Sequence, residues 1–153
     1  MLFDITEYDL EAVALTKAQV YEHIPHLHEF QLLDGFCAID TGQRRGIAFA
    51  DVRPDAWWVR GHFKGRPLLP GVLMLEMAAQ ASAVLSELRT GHERFVGLGG
   101  IEDCKFRESV SPPARVYFLC VEVSENSRRI VSEVQGVCHD HLVMQARITG
   151  LAI

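Results

Sequence analysis

Residues 61–80 read GHFKGRPLLPGVLMLEMAAQ, and this stretch decides the fold. Its first half is a loop marked by glycine and proline, and its second half is a run of apolar or small residues that continues to residue 85. Proline suits the first position of a helix, because its missing N–H would have no partner there. We therefore predict a helix that begins at residue 70 or 71, continues to about residue 89 and is stopped by Gly91. A helix that is apolar around nearly its whole circumference has to be surrounded by protein.

Strand-like segments make up much of the remaining chain. A short helix over residues 16–24, capped by Thr16 and ended by Pro25, is predicted before them. Residues 53–69 are expected to be irregular. This order of elements favours an α+β fold in which residues 1–153 form a single domain and an antiparallel sheet wraps around one buried helix. The predicted strands are 32–40, 45–52, 94–98, 102–106, 115–123, 130–138 and 142–151.

The overall composition is that of an ordinary soluble protein, with 48% hydrophobic and 23% charged residues. A net charge of −5 argues against a nucleic-acid partner. The first residues lack the pattern of a signal peptide, and the longest apolar segment contains Pro70, Glu76 and Gln80, which favours a core helix over a membrane span. The four cysteines form no C-x-x-C pair, so we interpret them as reduced thiols of a cytoplasmic protein.

A single carboxylate, Glu76, interrupts the apolar helix. Its neighbours one turn away are apolar except Gln80, which is placed to hydrogen-bond and orient the carboxyl group. Burial disfavours the charged form of a carboxyl group, so we predict that the pKa of Glu76 is raised, as in general acids of apolar pockets. The alternative interpretation is a purely structural Glu76–Gln80 pair.

His62 lies in the loop before the helix, and Pro67 and Pro70 stiffen the path of that loop. A histidine considered alone is more often structural or merely exposed than catalytic. Beside a protonated carboxyl group, however, a neutral imidazole supplies the base of an acid–base pair.

The start of the helix offers a third component, because the first backbone N–H groups of a helix have no intrahelical partners. Here they belong to Gly71, Val72 and Leu73 and lie at the positive end of the helix dipole. Gly71 has no side chain to block a carbonyl oxygen, so its N–H is a candidate donor to an oxygen that gains negative charge. The same residues are equally compatible with an ordinary helix start.

Together these groups suit β-elimination from a hydroxyacyl thioester. The imidazole would remove the α-proton, the N–H would polarise the thioester carbonyl, and the carboxyl group would protonate the departing hydroxyl. This chemistry needs neither a metal nor an organic cofactor. His23, His26, His28 and Glu29 lie close in sequence, but we do not expect their side chains to converge on a metal ion.

The motif resembles the signature of the β-hydroxyacyl-[acyl-carrier-protein] dehydratases, which are hotdog-fold enzymes of bacterial fatty-acid synthesis. The matching residues are 61–73, followed by Glu76 and Gln80. Residues 24–34, with their IPH and LLD triplets, and residues 105–112, which begin with KFR, are similar to two further segments of that family. The resemblance implies a hotdog fold for this chain.

The resemblance also implies roles for single residues. His62 would be the base, Glu76 of a partner subunit the acid, and the Gly71 N–H the oxyanion donor. The implied assembly is a homodimer with a continuous sheet, often arranged as a trimer of dimers. The implied substrate is carried on the phosphopantetheine arm of an acyl carrier protein.

Substrate contacts are expected within and after the same motif. The candidate substrate-binding residues are Phe63, Pro70, Val72 and Gln80. The acyl chain is expected in an apolar tunnel along the central helix, near Val72, Met74, Leu75 and Met77 of one or both subunits. Lys64 and Arg66 flank the expected entrance and would steer an acidic carrier protein, unless they are ordinary surface charges.

The chain departs from the family pattern at several positions, for example at Lys64, where the family has proline. Because the candidate acid and base are retained, we expect a cytoplasmic dehydratase that converts 3-hydroxyacyl-carrier thioesters to trans-2-enoyl thioesters in fatty-acid or related acyl-chain synthesis. Three alternatives stay open: a hotdog acyl thioesterase, an enoyl isomerase or hydratase, and a non-catalytic acyl-binding subunit.

Overall fold

A computed structural model describes residues 1–91 and 95–153. In these residues, seven antiparallel strands form one sheet, and two short 3-10 helices lie at Ile5–Glu7 and His28–Phe30. The α-helices are α1 (Lys17–His23) and α2 (Gly71–Thr90). The strands are β1 (Leu15–Thr16), β2 (Gly35–Asp40), β3 (Arg45–Val52), β4 (Val96–Phe106), β5 (Ala114–Glu125), β6 (Arg129–Cys138) and β7 (His141–Ala152). The predicted α+β architecture is confirmed.

The long helix α2 packs against one face of the sheet. The strand order is β1-β2-β3-β5-β6-β7-β4, and α2 contacts β3, β5, β6, β7 and β4. Ala78, Ala81, Val84 and Leu85 of the helix are completely buried, in one core with Phe118 of β5. Burying this apolar helix against strands is the main source of stability available to such a sequence.

The helix boundaries follow the local sequence signals. Thr16 caps α1 through a reciprocal capping box with Gln19, and the helix ends before Pro25. Gly91 follows α2 in the left-handed conformation, with φ of 65°, and its N–H donates to the Glu87 carbonyl at 2.8 Å. Both predicted helices are therefore confirmed, with ends within one residue of the expected positions.

Two strand predictions differ from the structure. The strand predicted from residue 32 begins at Gly35, because the Leu33 N–H donates to the Tyr21 hydroxyl instead of to a neighbouring strand. The strands predicted at 94–98 and 102–106 are one continuous strand, β4, with a local register shift at the glycines between Leu98 and Gly100 and a second shift between Glu102 and Lys105. Arg94 lies outside the described residues.

By length and composition, α2 is apolar enough to cross a membrane, and half of that apolar window is buried inside the protein. Its contacts with five strands make it the core helix of the sheet, as predicted. The four cysteines are free thiols; Cys37, Cys120 and Cys138 are buried, whereas Cys104 is only half-buried.

Candidate active site

His62 is held in a loop that backbone hydrogen bonds tie together. Its N–H donates to the Trp58 carbonyl at 2.9 Å, and its carbonyl accepts from the Leu68 N–H at 2.9 Å. The His62 and Phe63 rings are stacked, with centroids 3.9 Å apart, and the peptide between these residues is cis. The imidazole thus has a defined position although the surrounding loop has no regular secondary structure.

One hydrogen bond assigns the tautomer of His62. Its Nδ1 lies 2.8 Å from the Leu68 carbonyl oxygen, which can only accept a hydrogen bond. Nδ1 therefore carries a proton, and the neutral imidazole presents an unprotonated Nε2. In this tautomer Nε2 is the ring nitrogen that can accept a proton as a general base.

Glu76 lies in the second turn of α2, with a side chain that is 26% exposed. Its Oε1 accepts a hydrogen bond from Gln80 Nε2 at 2.9 Å and lies 3.2 Å from His26 Nε2. Within the described residues its Oε2 accepts no hydrogen bond. One carboxyl oxygen is therefore anchored, and the other remains available to a substrate.

The amide of Gln80 is oriented by a chain of hydrogen bonds. The Leu33 N–H donates to the Tyr21 hydroxyl, and the Tyr21 hydroxyl donates to Gln80 Oε1, each at 2.8 Å. Gln80 Nε2 therefore faces Glu76 and the Phe30 carbonyl, to which it also donates at 2.9 Å. Tyr21 and the Phe30 carbonyl thus together determine which end of the Gln80 amide meets the carboxyl group.

The expected direction of the Glu76 pKa is wrong for this chain. The hydrogen bond from His26 lowers the pKa below its ordinary value, and the bond from Gln80 and the charge of His26 act in the same direction. Burial of the carboxyl group raises the pKa but is outweighed, because the side chain keeps contact with solvent. In the unliganded chain Glu76 is therefore a carboxylate.

The start of α2 presents free donors, as predicted, but two instead of three. The Leu73 N–H donates to the Pro70 carbonyl at 3.0 Å, whereas the N–H groups of Gly71 and Val72 make no hydrogen bond within the described residues. A Cβ atom at Gly71 would lie 3.1 Å from the Phe106 ring. Glycine therefore allows Phe106 to cover the helix start closely.

A cavity of about 370 Å³ opens beside Glu76. Glu76, Ala79, Gln80 and Ala83 form its helical wall. His26 and the β4 end of the sheet form other walls. Its size and mostly apolar lining suit an acyl chain. The remaining lining residues are Pro25, Ser82, Phe95, Val96, Gly97, Leu98, Ile130, Ser132, Ile148 and Gly150.

One of the four predicted substrate-binding residues lines this cavity, and the other three do not. Gln80 lines the cavity, whereas Pro70 is buried at the helix start, Phe63 is exposed and Val72 is 70% exposed. The tunnel expected beside Val72, Met74, Leu75 and Met77 is not the cavity found next to Glu76. The two methionines are buried in the core, because their side of α2 faces the sheet.

Within one chain, the structure does not join the candidate acid and base. Among the described residues, His62 shares no hydrogen bond with Glu76 and does not line the cavity beside it. The two residues belong to separate hydrogen-bond networks, one in the loop and one between α2 and the segment that follows α1.

Sequence reasoning did not assign roles to His26 and Tyr21. His26 lies three residues after the end of α1, in an irregular segment, and its side chain contacts Glu76 of α2, 50 residues further along the chain. No local pattern reveals such a contact, although His26 belongs to the segment similar to the dehydratase family. His23 instead pairs with Glu87, and no three His, Cys, Asp or Glu side chains converge on a metal position in the described part of the chain.

A seven-stranded antiparallel sheet packed around one long helix is the architecture of a hotdog-fold protein. A FabA-like domain matches residues 24–147, and the chain belongs to this FabA-like family.

Two curated relatives and one solved structure illustrate the similarity. The chain is 35% identical to the 3-hydroxyacyl-[acyl-carrier-protein] dehydratase FabZ of Enterococcus faecalis, over 80% of this chain and 89% of that protein. It is 32% identical to a protein of the same name from Bartonella bacilliformis, over 95% and 94% of the two chains. Its fold is similar to a chain of the dehydratase heterocomplex ApeI:P from Xenorhabdus doucetiae, with a TM-score of 0.76, 16% identity and coverage of 88% and 90%.

Proposed function

We propose that this protein dehydrates 3-hydroxyacyl thioesters of an acyl carrier protein to trans-2-enoyl thioesters. The observation that carries the proposal is the position of Glu76, which is anchored through one oxygen and lies on the wall of a mostly apolar cavity. His62, with an unprotonated Nε2, supplies the second group that elimination requires. Relatives with similar sequences bear the name of this activity.

The proposed reaction moves two protons and breaks one C–O bond. The Gly71 N–H donates to the thioester carbonyl and stabilises the charge that develops there. His62 Nε2 takes the α-proton while protonated Glu76 gives the proton of Oε2 to the departing hydroxyl, which leaves as water. The cycle closes when the imidazolium proton returns to the Glu76 carboxylate.

This mechanism requires a protonated Glu76, whereas the free chain lowers the pKa of this residue. An acyl chain that fills the cavity removes water from the half-buried carboxyl group, and desolvation favours the neutral form. Substrate binding thus raises the pKa of Glu76, which the contacts of the free protein lower.

The complete site requires a second copy of the chain. Strand β4 is an edge of the sheet, and it exposes the large apolar side chains of Leu98, Ile101 and Phe106. Pairing of β4 with β4 of a second copy would cover these residues and continue the sheet. We place His62 of one protomer opposite Glu76 of the other in such a homodimer, the arrangement that the resemblance to the dehydratases implies.

A basic loop suits the docking of an acidic carrier protein. Arg60, Lys64 and Arg66 are exposed and form no ion pair within the described residues. They lie on either side of His62 in sequence, where the phosphopantetheine arm has to enter. Reversing the charges with Lys64→Glu and Arg66→Glu is expected to raise KM for the carrier-bound substrate at low salt.

We further propose that the protein acts in the cytoplasm and that the chain forms a single hotdog domain.

One observation favours a second function, that of a hotdog acyl thioesterase. The lowered pKa of Glu76 makes this group a carboxylate in the free chain, and a carboxylate can activate water for attack on a thioester. The two reactions use the same residue in opposite protonation states. They leave different products, so an assay separates them.

The test uses the purified protein with a 3-hydroxyacyl-carrier thioester and with the saturated acyl thioester of equal length. Dehydration is expected to yield an enoyl thioester one water lighter, with a 2,3 double bond and no free thiol. Glu76→Gln and His62→Ala are each expected to lower the rate by about 100-fold or more. Thiol release from the saturated thioester would establish the thioesterase instead, a shifted double bond an isomerase, and no turnover of either substrate a non-catalytic subunit.

A further inference from the structure

Two serines, Ser82 and Ser132, lie among the mostly apolar residues that line the cavity beside Glu76. On β6, Ile130, Ser132 and Val134 alternate with residues of the other face and point towards α2. Ser132 lines the cavity and is 0% exposed, and among the described residues its Oγ has only the thiol of Cys120 as a neighbouring hydrogen-bonding group. A thiol is a weak partner for a buried hydroxyl, so the place of Ser132 in a cavity wall points to a ligand that supplies a stronger bond.

Two neighbouring groups show why the protein itself does not satisfy Ser132. Ser82 on α2 also lines the cavity, and its Oγ donates to the Ala78 carbonyl at 3.0 Å and lies 3.5 Å from Cys120 Sγ. Burial raises the pKa of the Cys120 thiol to about 12, so it stays protonated and serves as a weak donor. Ser132, like Ser82, acts on this thiol through a side-chain hydrogen bond that lowers the pKa of Cys120, but sulfur is a weak partner and leaves Ser132 able to bind a ligand.

Both serines lie beside the thiol of Cys120, so the position of Ser82 on α2 gives their approximate depth from the proposed acid. Ser82 follows Glu76 by six residues on the same helix, which corresponds to about 9 Å along the axis. Both residues line one continuous cavity. A chain whose reacting carbons meet Glu76 therefore reaches the serines with its distal part.

We propose that Ser132, assisted by Ser82, selects acyl chains that carry an oxygen function, a hydroxyl or a carbonyl, about 9 Å beyond the reacting carbons. This assignment rests on the proposed dehydratase function and names its substrate class. The Ser132 O–H donates to the substrate oxygen. A substrate hydroxyl can in turn donate to the remaining lone pair of Ser82 Oγ, so a hydroxyl matches both serines and a carbonyl matches Ser132 alone.

The test compares three 3-hydroxyacyl-carrier thioesters of equal length, ending in a methyl, a hydroxyl or a carbonyl group, in a length series that brackets this distance. The wild-type protein is expected to show a kcat/KM about 10-fold higher for an oxygen-ended chain than for the methyl-ended chain of the same length. Ser132→Ala is expected to abolish this preference while the methyl-ended chain is still dehydrated. Ser82→Ala is expected to reduce the preference for the hydroxyl-ended chain only.

The matched control is Ser86→Ala, which makes the same change at a buried serine of α2 outside this cavity and is expected to retain the preference. Thermal unfolding of each variant verifies that it is folded. Equal or better turnover of the methyl-ended chain by the wild-type protein would overturn the proposal and indicate that Ser132 binds water. The same holds if Ser132→Ala keeps the preference. In both cases dehydration itself persists, whereas a failure of the proposed function would leave all three thioesters unreacted.

Discussion

Glu76 is held through a single oxygen, and this arrangement separates an anchored atom from a reactive one. His26 and Gln80 both meet Oε1, whereas Oε2 accepts no hydrogen bond from the described residues. Two donors to one oxygen stabilise the carboxylate and fix its rotamer. The same contacts that position the proposed acid therefore also oppose its protonation until substrate excludes water.

Loss of the contact between His26 and Glu76 should change the pKa of Glu76. His26→Leu removes the largest cause of the lowered pKa, so the pKa of Glu76 should rise. The measurement is an NMR titration of the protein with ¹³C-labelled glutamate carboxyl groups. His141→Leu, at an exposed histidine of β7, serves as the control and should leave the Glu76 titration unchanged. An unchanged titration in His26→Leu would show that His26 does not stabilise the carboxylate.

Tyr21 acts on Glu76 only through Gln80, so its role is that of a positioning residue. Tyr21→Phe removes the donor to Gln80 Oε1, so only the Phe30 carbonyl still orients the Gln80 amide and the bond from Gln80 to Glu76 weakens. A weaker bond stabilises the carboxylate less, so the pKa of Glu76 should rise, and the less well positioned carboxyl group should lower kcat by about 3- to 10-fold with little change in KM. The same NMR titration and steady-state kinetics measure both effects.

Tyr8→Phe provides the matched control for Tyr21→Phe, because Tyr8 lies far from this network in the N-terminal cluster beside Ile5. It should change neither kcat nor the titration of Glu76. If Tyr21→Phe lowers stability alone, without moving the Glu76 titration, Tyr21 is a structural residue and the proposed positioning role is incorrect.

At the scale of elements, a buried ion pair joins the end of α2 to the sheet. Arg89 lies 2.6 Å from the Glu122 carboxylate of β5, whose side chain is fully buried, and 3.1 Å from Glu125. A buried charge without its partner destabilises a fold far more than the pair stabilises it. Replacing Arg89 alone should therefore cost more stability than replacing Arg89 and Glu122 together.

Arg89→Met should destabilise the fold by about 3–5 kcal/mol, because it leaves the buried Glu122 carboxylate with only the exposed Arg44 as a partner, at 3.9 Å. The double variant Arg89→Met/Glu122→Met should recover most of this free energy of unfolding. Urea denaturation of both variants measures the difference. A double variant as unstable as Arg89→Met would mean that the loss arises from packing around Arg89 and not from the isolated charge.

At the scale of the whole molecule, β4 is the proposed interface with a second copy of the chain. It is a long edge strand that exposes Ile101 beside other large apolar side chains. Ile101→Lys should therefore convert the proposed dimer to monomers and reduce activity, while far-UV circular dichroism remains that of a folded chain. Sedimentation velocity measures the oligomeric state.

The control for Ile101→Lys is Val123→Lys, which places the same charge at an exposed apolar residue of β5, in the interior of the sheet order. This variant should remain a dimer. A monomeric wild-type protein, or an Ile101→Lys variant that still dimerises, would exclude β4 as the interface.

The sequence predicts those features that short-range patterns encode. The limits of α2, the cap at Thr16 and the left-handed Gly91 follow from local propensities, and the helix is recognisably a core element because apolar residues surround it. The motif also places His62 in the loop before α2 and Glu76 in the second turn of that helix. For these features the local sequence patterns and the observed fold agree.

The sequence does not predict features that depend on distant contacts. The pKa of Glu76 is lowered because His26 approaches from a segment 50 residues earlier, and burial alone suggests the opposite direction. The cavity lies beside Ala79 and Ala83 and not beside Met74 and Met77, since the sheet covers the methionine side of α2. Register shifts in β4 likewise depend on its partner β7, so the glycines in β4 suggest a break that does not exist.

The central claim is that one active site combines His62 of one protomer with Glu76 of another. Subunit complementation tests it most directly: His62→Ala and Glu76→Gln proteins, each inactive alone, are mixed under conditions where labelled subunits are seen to exchange. Half of the resulting dimers carry one intact site, so the mixture should recover about a quarter of the wild-type dehydratase activity. Complete subunit exchange without any recovered activity would contradict the account.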